Sequence, residues 1–348
     1  MRVFDEIFVD KTKYGTKIKT DDYQEYGLYP IIDQGQKQIA GYTDLSEGVF
    51  TDVPAIIFGD HTRIIKYVDK PFFIGADGVK ILKSNLENAN YKYLYYALLN
   101  AKIPNTGYNR HFKWLKQLKF SCPDLDRQKS IVNILDNIKI VIDFRTKQLE
   151  KYDELIKARF VEMFGDPNCN KNNLVKISDI GLLMSGGTPP RKEVNYFNGE
   201  IRWYSAGELN SLYLGDSIEH ISSKAIEESS AKLFKKSTLM IGMYDTAAFK
   251  MGILTEESSS NQACANLQPS DRYNVIWLYY LFDIMKPKFL NERQGVRQKN
   301  LSLSKIKGFM VPYSETELQN QFADFVKQID KSKFVELKYY KNRVEKNK

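Results

Sequence analysis

The sequence has few of the residues that build disulfides or metal sites. Its 348 residues include 3 cysteines and 3 histidines, all isolated, and no pair has the CxxC or HxxxH spacing of a zinc site. We therefore expect neither a disulfide framework nor a structural zinc. Reduced thiols in an intracellular protein are the prediction.

Long apolar runs are also missing. No run approaches the roughly 18 residues that a membrane-spanning helix needs. Asp5 and Glu6 fall where a secretory signal would be basic and then apolar. We therefore expect a cytoplasmic protein with no membrane partner.

Signatures of catalysis are absent as well. There is no GxxxxGK[ST] motif, and Pro189 and Pro190 in "SGGTPPRKE" remove the N–H donors that a phosphate cradle needs. No [DN]PP[YFW] tetrapeptide of an amino-methyltransferase is present. The chain is expected to be non-catalytic and to hold no cofactor of its own.

The composition is that of a globular protein with a basic surplus. Hydrophobic residues make up 43% and charged residues 27%, and the net charge of +8 mildly favours a polyanionic partner. A chain of 348 residues is long for one core and comfortable for two domains.

Several segments recur in the same order in the two halves of the chain. "YLYYALL" (Tyr93–Leu99) is echoed by "WLYYLF" (Trp277–Phe282), and "FSCP" (Phe120–Pro123) by "FMVP" (Phe309–Pro312). "AIIFGDHT" faintly resembles "LMIGMYDT", and the basic segment at Gly107 matches the one at Gly295. Four echoes in register predict an internal duplication.

A long helix is predicted in the middle of the chain, starting at Pro123. Asp124 and Asp126 suit its first turn, and Gly165 followed by Pro167 ends it. Apolar residues recur in steps of three and four, which is a heptad seam. The seam comprises Ile131, Leu135, Ile138, Ile142, Leu149, Tyr152, Ile156 and Met163.

A second helix is predicted near the C-terminus, with Ser314 and Glu317 as its capping box. Its seam runs through Leu318, Phe322, Phe325 and Ile329 and then weakens. Two related helices in one chain pack either as a homodimeric coiled coil or on each other within the chain.

The predicted fold is α/β (α+β) with a two-fold pseudo-repeat, in which each globular domain is followed by a long helix. The predicted boundaries are 1–122 for the first domain, 123–164 for the first helix, 165–311 for the second domain and 312–348 for the second helix.

Loop-like segments mix basic, amide and aromatic side chains, which suits nucleic acid recognition. The alternative is that these segments are merely solvated. The DNA-contact candidates are Arg191, Lys192, Arg293, Arg297 and Lys299 in the second half, and His61, Arg63, Arg110, His111 and Lys113 in the first.

Four segments together resemble one known family, the specificity subunits of type I restriction–modification systems. They are "GGTPPRKEVNYFNGEIRWYSAGEL" (Gly186–Leu209), "PDLDRQKSIVNILDNI", "FVEMFGDP" and "LQNQFADFVKQIDKSKF" (Leu318–Phe334). The resemblance covers essentially the whole chain. The first half departs from it, because "YPIIDQGQKQIAGY" (Tyr29–Tyr42) stands in place of a "GGTP" block.

The resemblance implies two globular target recognition domains separated by an antiparallel pair of long coiled-coil helices. Each domain would read one half of a split double-stranded DNA site, and the helices would set the spacer. It also implies docking to two methyltransferase subunits and, in the full complex, two translocase–endonuclease subunits. S-adenosylmethionine, ATP and Mg would belong to those partners. The alternatives are a helical-hairpin scaffold that does not bind DNA specifically, and an enzyme with its own nuclease or methyltransferase centre.

Overall fold

The chain forms two compact units. The structure, a computed structural model, describes residues 1–75, 77–170, 172–293 and 300–346, with side chains up to residue 333. The units are Met1–Arg145 and Thr146–Lys348. Their boundary lies within the long central helix and not at its ends, because the two ends of that helix pack on different cores.

The first unit contains short strands and helices, as expected where β-branched and aromatic runs are interrupted by Gly, Asp and Pro. Its elements are β1 (Arg2–Val3), α1 (Phe4–Ile7), β2 (Phe8–Asp10), β3 (Tyr29–Ile32), β4 (Gly41–Thr43), β5 (Ala55–Gly59), β6 (Ile65–Val68), β7 (Phe73–Ile74), β8 (Val79–Ser84), α2 (Tyr91–Leu99), α3 (Phe112–Leu115), β9 (Lys119–Phe120) and α4 (Leu125–Phe164), which continues into the second unit. The strands form sheets in the orders β2-β8-β5-β6, β4-β3-β7 and β1-β9.

The second unit repeats this plan. Its elements are β10 (Leu174–Lys176), α5 (Ile177–Ile180), β11 (Gly181–Ser185), β12 (Ile201–Tyr204), β13 (Glu219–Ile221), α6 (Ser223–Glu228), β14 (Leu239–Gly242), β15 (Met251–Ile253), β16 (Ser259–Ser260), β17 (Cys264–Pro269), α7 (Val275–Asn291), α8 (Leu303–Gly308), β18 (Met310–Pro312) and α9 (Thr316–Lys346). The sheet orders are β11-β17-β14-β15, β13-β12-β16 and β10-β18.

The strand pairings of the two units match one to one. The pair β3–β7 is parallel, as is its counterpart β12–β16, and the other pairings are antiparallel in both units. A mixed sheet with its parallel strand pair at the same place is too particular to arise twice by chance. The predicted duplication and mixed α/β fold are confirmed.

Matched helix starts reinforce the repeat. The Asn90 side chain accepts a hydrogen bond from Tyr93 N at the start of α2, and Asn274 accepts one from Ile276 N at the start of α7. An asparagine at this position satisfies an N–H group that would otherwise lack a partner.

The start of α9 differs from the prediction. The helix begins at Thr316, so Ser314 and Glu317 do not form the predicted capping box. The fully buried Gln319 side chain instead donates to the Ser314 carbonyl at 2.7 Å. Gln128 in α4 donates to the Pro123 carbonyl at 2.8 Å in the same way. A buried glutamine is therefore the device that the two long helices share.

The "GGTP" block has a different counterpart from the one expected. It lies in the connection between β11 and β12, which corresponds to the connection between β2 and β3 in the first unit. Tyr29–Tyr42 instead forms β3, its loop and part of β4, and so matches the β12–β13 hairpin. The prediction from sequence therefore matched the connection before β12 with the loop after β3, although β3 and β12 are equivalent strands.

Within the second unit α4 and α9 pack antiparallel. Lys333 pairs with Asp153 at 2.9 Å, and Phe322 packs edge-on against Phe160 at a centroid distance of 5.2 Å. As the residue numbers of the contacts increase along α4, those of their partners on α9 decrease, so the two helices run in opposite directions. Ile156 is fully buried in the same core, and Phe325 and Ile329 pack against it.

The predicted seam of α4 is not covered along its whole length. Ile131 packs against the first core and Leu135 is partly buried. Ile138, Ile142 and Leu149 are 50%, 58% and 41% exposed. A heptad pattern identifies the face of a helix but cannot say how far along it a neighbouring helix runs.

No described helix is both long enough and apolar enough to cross a membrane. None of the three cysteines is in a disulfide, and burial raises the pKa of Cys264 to about 12. The described residues contain no cluster of three or more His, Cys, Asp or Glu side chains suited to a metal ion.

We predict that Phe322→Ala lowers the free energy of unfolding by about 3–5 kcal/mol, because it opens a cavity between α4, α7 and α9. Phe144→Ala is the matched control, since Phe144 is 69% exposed on α4 and its truncation should cost less than about 1 kcal/mol. Urea denaturation measures both. Equal effects of the two substitutions would contradict the described packing.

Candidate nucleic acid interface

In the first unit hydrogen bonds join three loops at one end of the central strands β5 and β8. Asp60 lies in the turn after β5, and its N–H donates to the Gly78 carbonyl at 2.6 Å. The Asp60 carbonyl accepts from His111 N at 2.7 Å, and its buried carboxylate accepts from Phe112 N at 2.7 Å. We call residues 60–64, 77–78 and 101–111 the first loop edge.

The second unit uses the same backbone hydrogen bonds. Met243 N donates to the Ala263 carbonyl at 2.9 Å, and Leu301 N donates to the Met243 carbonyl at 2.8 Å. Met243 therefore stands where Asp60 stands in the first unit, and Leu301 where His111 stands. We call residues 243–250, 261–263 and 300–302 the second loop edge.

The first loop edge brings together most of the candidates predicted for that half. The His61 ring stacks on Tyr108 with centroids 4.8 Å apart and planes 9° apart. Arg63 donates through Nη1 to the Ile103 carbonyl at 3.3 Å. Arg110 is exposed. Lys113 is also exposed, on α3, and its ammonium group lies over the Trp114 ring.

His111 is a correction to the predicted interface. Its side chain is fully buried, with Nδ1 3.0 Å from the Asp60 carbonyl and Nε2 3.4 Å from Thr106 Oγ1. A histidine whose two ring nitrogens are used in this way holds a loop and does not face a ligand. The sequence showed a histidine among basic residues but not the direction of its ring.

A tight turn displays Tyr108. Gly107 has φ of 76°, a conformation that glycine adopts without steric cost, and Asn105 and Asn109 brace the turn through their side chains. Tyr108 is 89% exposed. The turn therefore presents a large aromatic ring at the first loop edge.

In the second unit Arg191 is held by the protein itself. Its guanidinium makes two hydrogen bonds to Glu219, at 2.5 and 2.9 Å, and lies over the rings of Phe197 and Trp203. Hydrogen bonding from Arg191 lowers the pKa of Glu219. The side chain joins the "GGTP" loop to strand β13, whereas its neighbour Lys192 is exposed.

The "GGTP" loop itself requires its glycine. A side chain at Gly187 would lie 1.9 Å from the Ser230 carbonyl oxygen, and the Gly187 carbonyl accepts a hydrogen bond from Trp203 Nε1 at 3.0 Å. The loop is therefore packed closely within the second unit, against β12 and the segment after α6.

The remaining candidates follow α7. Arg293 donates through Nε to the Leu290 carbonyl at 2.9 Å and is partly buried at the end of the helix. Arg297 and Lys299 lie outside the described residues.

Sequence reasoning did not name three polar or aromatic residues at the second loop edge as contact candidates: Tyr244, Gln262 and Asn300. They line a cavity of about 450 Å³. The echo of "AIIFGDHT" in "LMIGMYDT" contained the signal, but it is displaced by one residue, because Gly59 corresponds to Gly242 in the sheet register. With that shift, Tyr244 is the residue of the second unit that is equivalent to His61 of the first.

We predict that Arg191→Met increases amide hydrogen exchange across residues 188–197, because the loop loses its link to Glu219. Lys192→Met is the matched control and should leave exchange there unchanged. Hydrogen exchange mass spectrometry provides the comparison. If both substitutions behave alike, Arg191 does not hold this loop.

Comparison with known proteins agrees with this arrangement. The family described as "Type I restriction modification DNA specificity domain" matches residues 5–152 and 170–345, so each match includes one loop edge. The Escherichia coli type I restriction enzyme EcoR124I/EcoR124II specificity subunit is 24% identical, over 92% of this chain and 83% of the relative. The Methanocaldococcus jannaschii MjaIX specificity subunit is 27% identical over 51% of this chain and 43% of its own.

Solved structures show the same fold. A type I restriction–modification S subunit from M. genitalium superposes with a TM-score of 0.59 at 17% identity, covering 99% of this chain and 91% of the other. A chain from a structure of type I R-M complex assembly has a TM-score of 0.53 at 13% identity, covering 99% and 92%. The duplicated fold and the two family matches agree, and the chain belongs to the family of type I restriction–modification DNA specificity subunits.

Proposed function

We propose that each unit reads one half of a split double-stranded DNA target through its loop edge. One observation carries the proposal: the same backbone hydrogen bonds fix the same three loops in both units, while the side chains on those loops differ. A duplicated scaffold with different side chains suits a site whose two halves differ in sequence. The net charge of +8 favours a polyanionic ligand.

The DNA-facing residues in this proposal are the candidates that are exposed or partly exposed in the described part of the chain. They are His61, Arg63, Arg110 and Lys113 in the first unit and Lys192 and Arg293 in the second, with Arg191 acting through the loop that it holds. Arg297 and Lys299 remain sequence-based predictions. His111 serves the fold of the first loop edge.

We place catalysis in partner subunits, in line with the non-catalytic recognition role of the family. The chain would act in the cytoplasm with two methyltransferase subunits and, in the full complex, two translocase–endonuclease subunits. S-adenosylmethionine, ATP and Mg would be bound by those partners. The exposed apolar residues of α4, including Ile140 and Phe144, offer a docking surface.

We propose further that α4 sets the spacing of the two half-sites. It is one helix of 40 residues that belongs to both units, so its length enters directly into the distance between the residues at its ends. At about 1.5 Å per residue the helix spans roughly 60 Å. The scaffold alternative, in which the basic loops are merely solvated, is not favoured by the family match.

Arg191→Ala should relax or abolish recognition of one half-site only, because the loop that it fastens belongs to the second unit. Arg63→Ala changes a residue at the first loop edge and should affect the other half. DNA methylation by the complex with its methyltransferase subunits, on targets altered in one half at a time, measures the effect. A uniform loss at both halves in either variant would contradict independent reading by two units.

Deleting residues 140–146 removes one heptad of α4 and about 10 Å of helix, which corresponds to roughly three base pairs. We expect the preferred spacer to change or the complex to fail on its original target. Methylation of targets with every spacer length identifies the preference. The control keeps the helix length and replaces the exposed polar residues Lys147 and Glu150 by alanine, which should leave the spacer unchanged. An unaltered spacer in the deletion variant would exclude the spacing role of α4.

A further inference from the structure

The backbone hydrogen bond that fixes each loop edge is flanked by two side chains. In the first unit the bond joins His111 N to the Asp60 carbonyl, and His61 and Arg110 are the residues next to it. One flanking side chain is a ring, and the other carries hydrogen-bond donors. We call these the ring position and the donor position.

The second unit has the same two positions with different residues. The bond joins Leu301 N to the Met243 carbonyl, and Tyr244 and Asn300 are the residues next to it. Tyr244 again supplies a ring, and Asn300 again carries donors. The positions are therefore fixed by the backbone, and the side chains on them vary between the units.

The rings are placed for contact with a ligand. Tyr244 is 40% exposed and lines the cavity of about 450 Å³ at the second loop edge. His61 is held by stacking on Tyr108, since its buried Nδ1 atom has no hydrogen-bond partner among the described residues. Because Tyr108 stacks on His61 and is 89% exposed, it adds a second aromatic ring at this position.

The donor in the second unit has a fixed orientation. Asp245 N donates to Asn300 Oδ1 at 3.0 Å, which settles which end of the amide is oxygen, because a backbone N–H can only donate. Asn300 lines the same cavity as Tyr244. The two hydrogens on Nδ2 are thus the groups that the amide has left to offer to a ligand.

Base edges in the major groove present the matching chemistry. Guanine offers O6 and N7, to which an arginine donates in bidentate fashion, and thymine offers the O4 acceptor beside an apolar methyl group that a ring can cover. Phosphate contacts, by contrast, position a protein without reporting sequence. Side chains placed beside a rigid backbone hydrogen bond suit base reading, since a loose side chain could not discriminate between bases a few ångströms apart.

We propose that the ring and donor positions determine the base specificity of each half-site. Arg110 donates to a guanine read by the first unit. Asn300 donates through Nδ2 to a major-groove acceptor, a purine N7, guanine O6 or thymine O4, read by the second. The inference rests on the proposed function, because it assigns residues within half-sites whose separate reading is itself proposed.

The experiment uses the complex of this chain with its methyltransferase subunits and a DNA pool randomised in one half-site at a time. Bound DNA is sequenced for the wild type, Arg110→Ala and Asn300→Ala. Each substitution should lower discrimination at a base pair of its own half by roughly 10- to 100-fold and leave the other half unchanged. Lys113→Ala and Lys192→Ala are the matched controls, and they should weaken binding evenly across all sequences.

A second variant separates recognition from folding. Asn300→Asp keeps an oxygen for Asp245 N but replaces the outward donors by an acceptor. The preferred base at that position should change to one that offers a donor, such as cytosine N4 or adenine N6. A changed preference requires a folded protein, so it cannot arise from misfolding.

Two results overturn the proposal. One is an even loss of affinity in Arg110→Ala, equal to that in Lys113→Ala, which would make Arg110 a phosphate contact. The other is an unchanged base preference in Asn300→Asp. In both cases the wild type would still select two half-sites, whereas failure of the proposed function would show as a wild type without such a preference.

Discussion

The structure depends on one backbone hydrogen bond that occurs twice. The carbonyl that follows a central strand, that of Asp60 after β5 and that of Met243 after β14, accepts from the segment that follows a buried helix. The interaction uses main-chain atoms only, so an aspartate and a methionine serve equally well. Loop positions are therefore conserved between the units while the side chains on the loops are free to differ, which is what a duplicated recognition protein requires.

The long helices depend on buried contacts of a different kind. Gln128 and Gln319 fix the helix starts through hydrogen bonds to upstream carbonyls, and Phe160 and Phe322 pack α4 against α9. Exposed apolar residues along α4 lie outside this packing. Ile131 and Val132 of this helix pack on the core of the first unit, and Ile156 and Phe160 belong to the core of the second.

The sequence was sufficient for features that are periodic or repeated. The duplication, the mixed fold and the C-terminal end of α4, where Gly165 has a φ of 74°, all follow from patterns of apolar residues and turn residues. The helix starts at Leu125 and not at the predicted Pro123. It was insufficient where a polar side chain has a tertiary partner. His111 is turned inward by Asp60, and Arg191 is occupied by Glu219, and neither partner is near in sequence. Tyr244 was missed because the echo between the halves is displaced by one residue.

Selection from fully random duplex DNA tests the central claim most directly. The complex of this chain with its methyltransferase subunits is given a pool without any fixed sequence, and the retained molecules are sequenced. Two separate units reading two half-sites predict two short blocks of defined sequence, separated by a spacer of constant length and no sequence preference. One continuous block, or retention without any preference, would contradict the account.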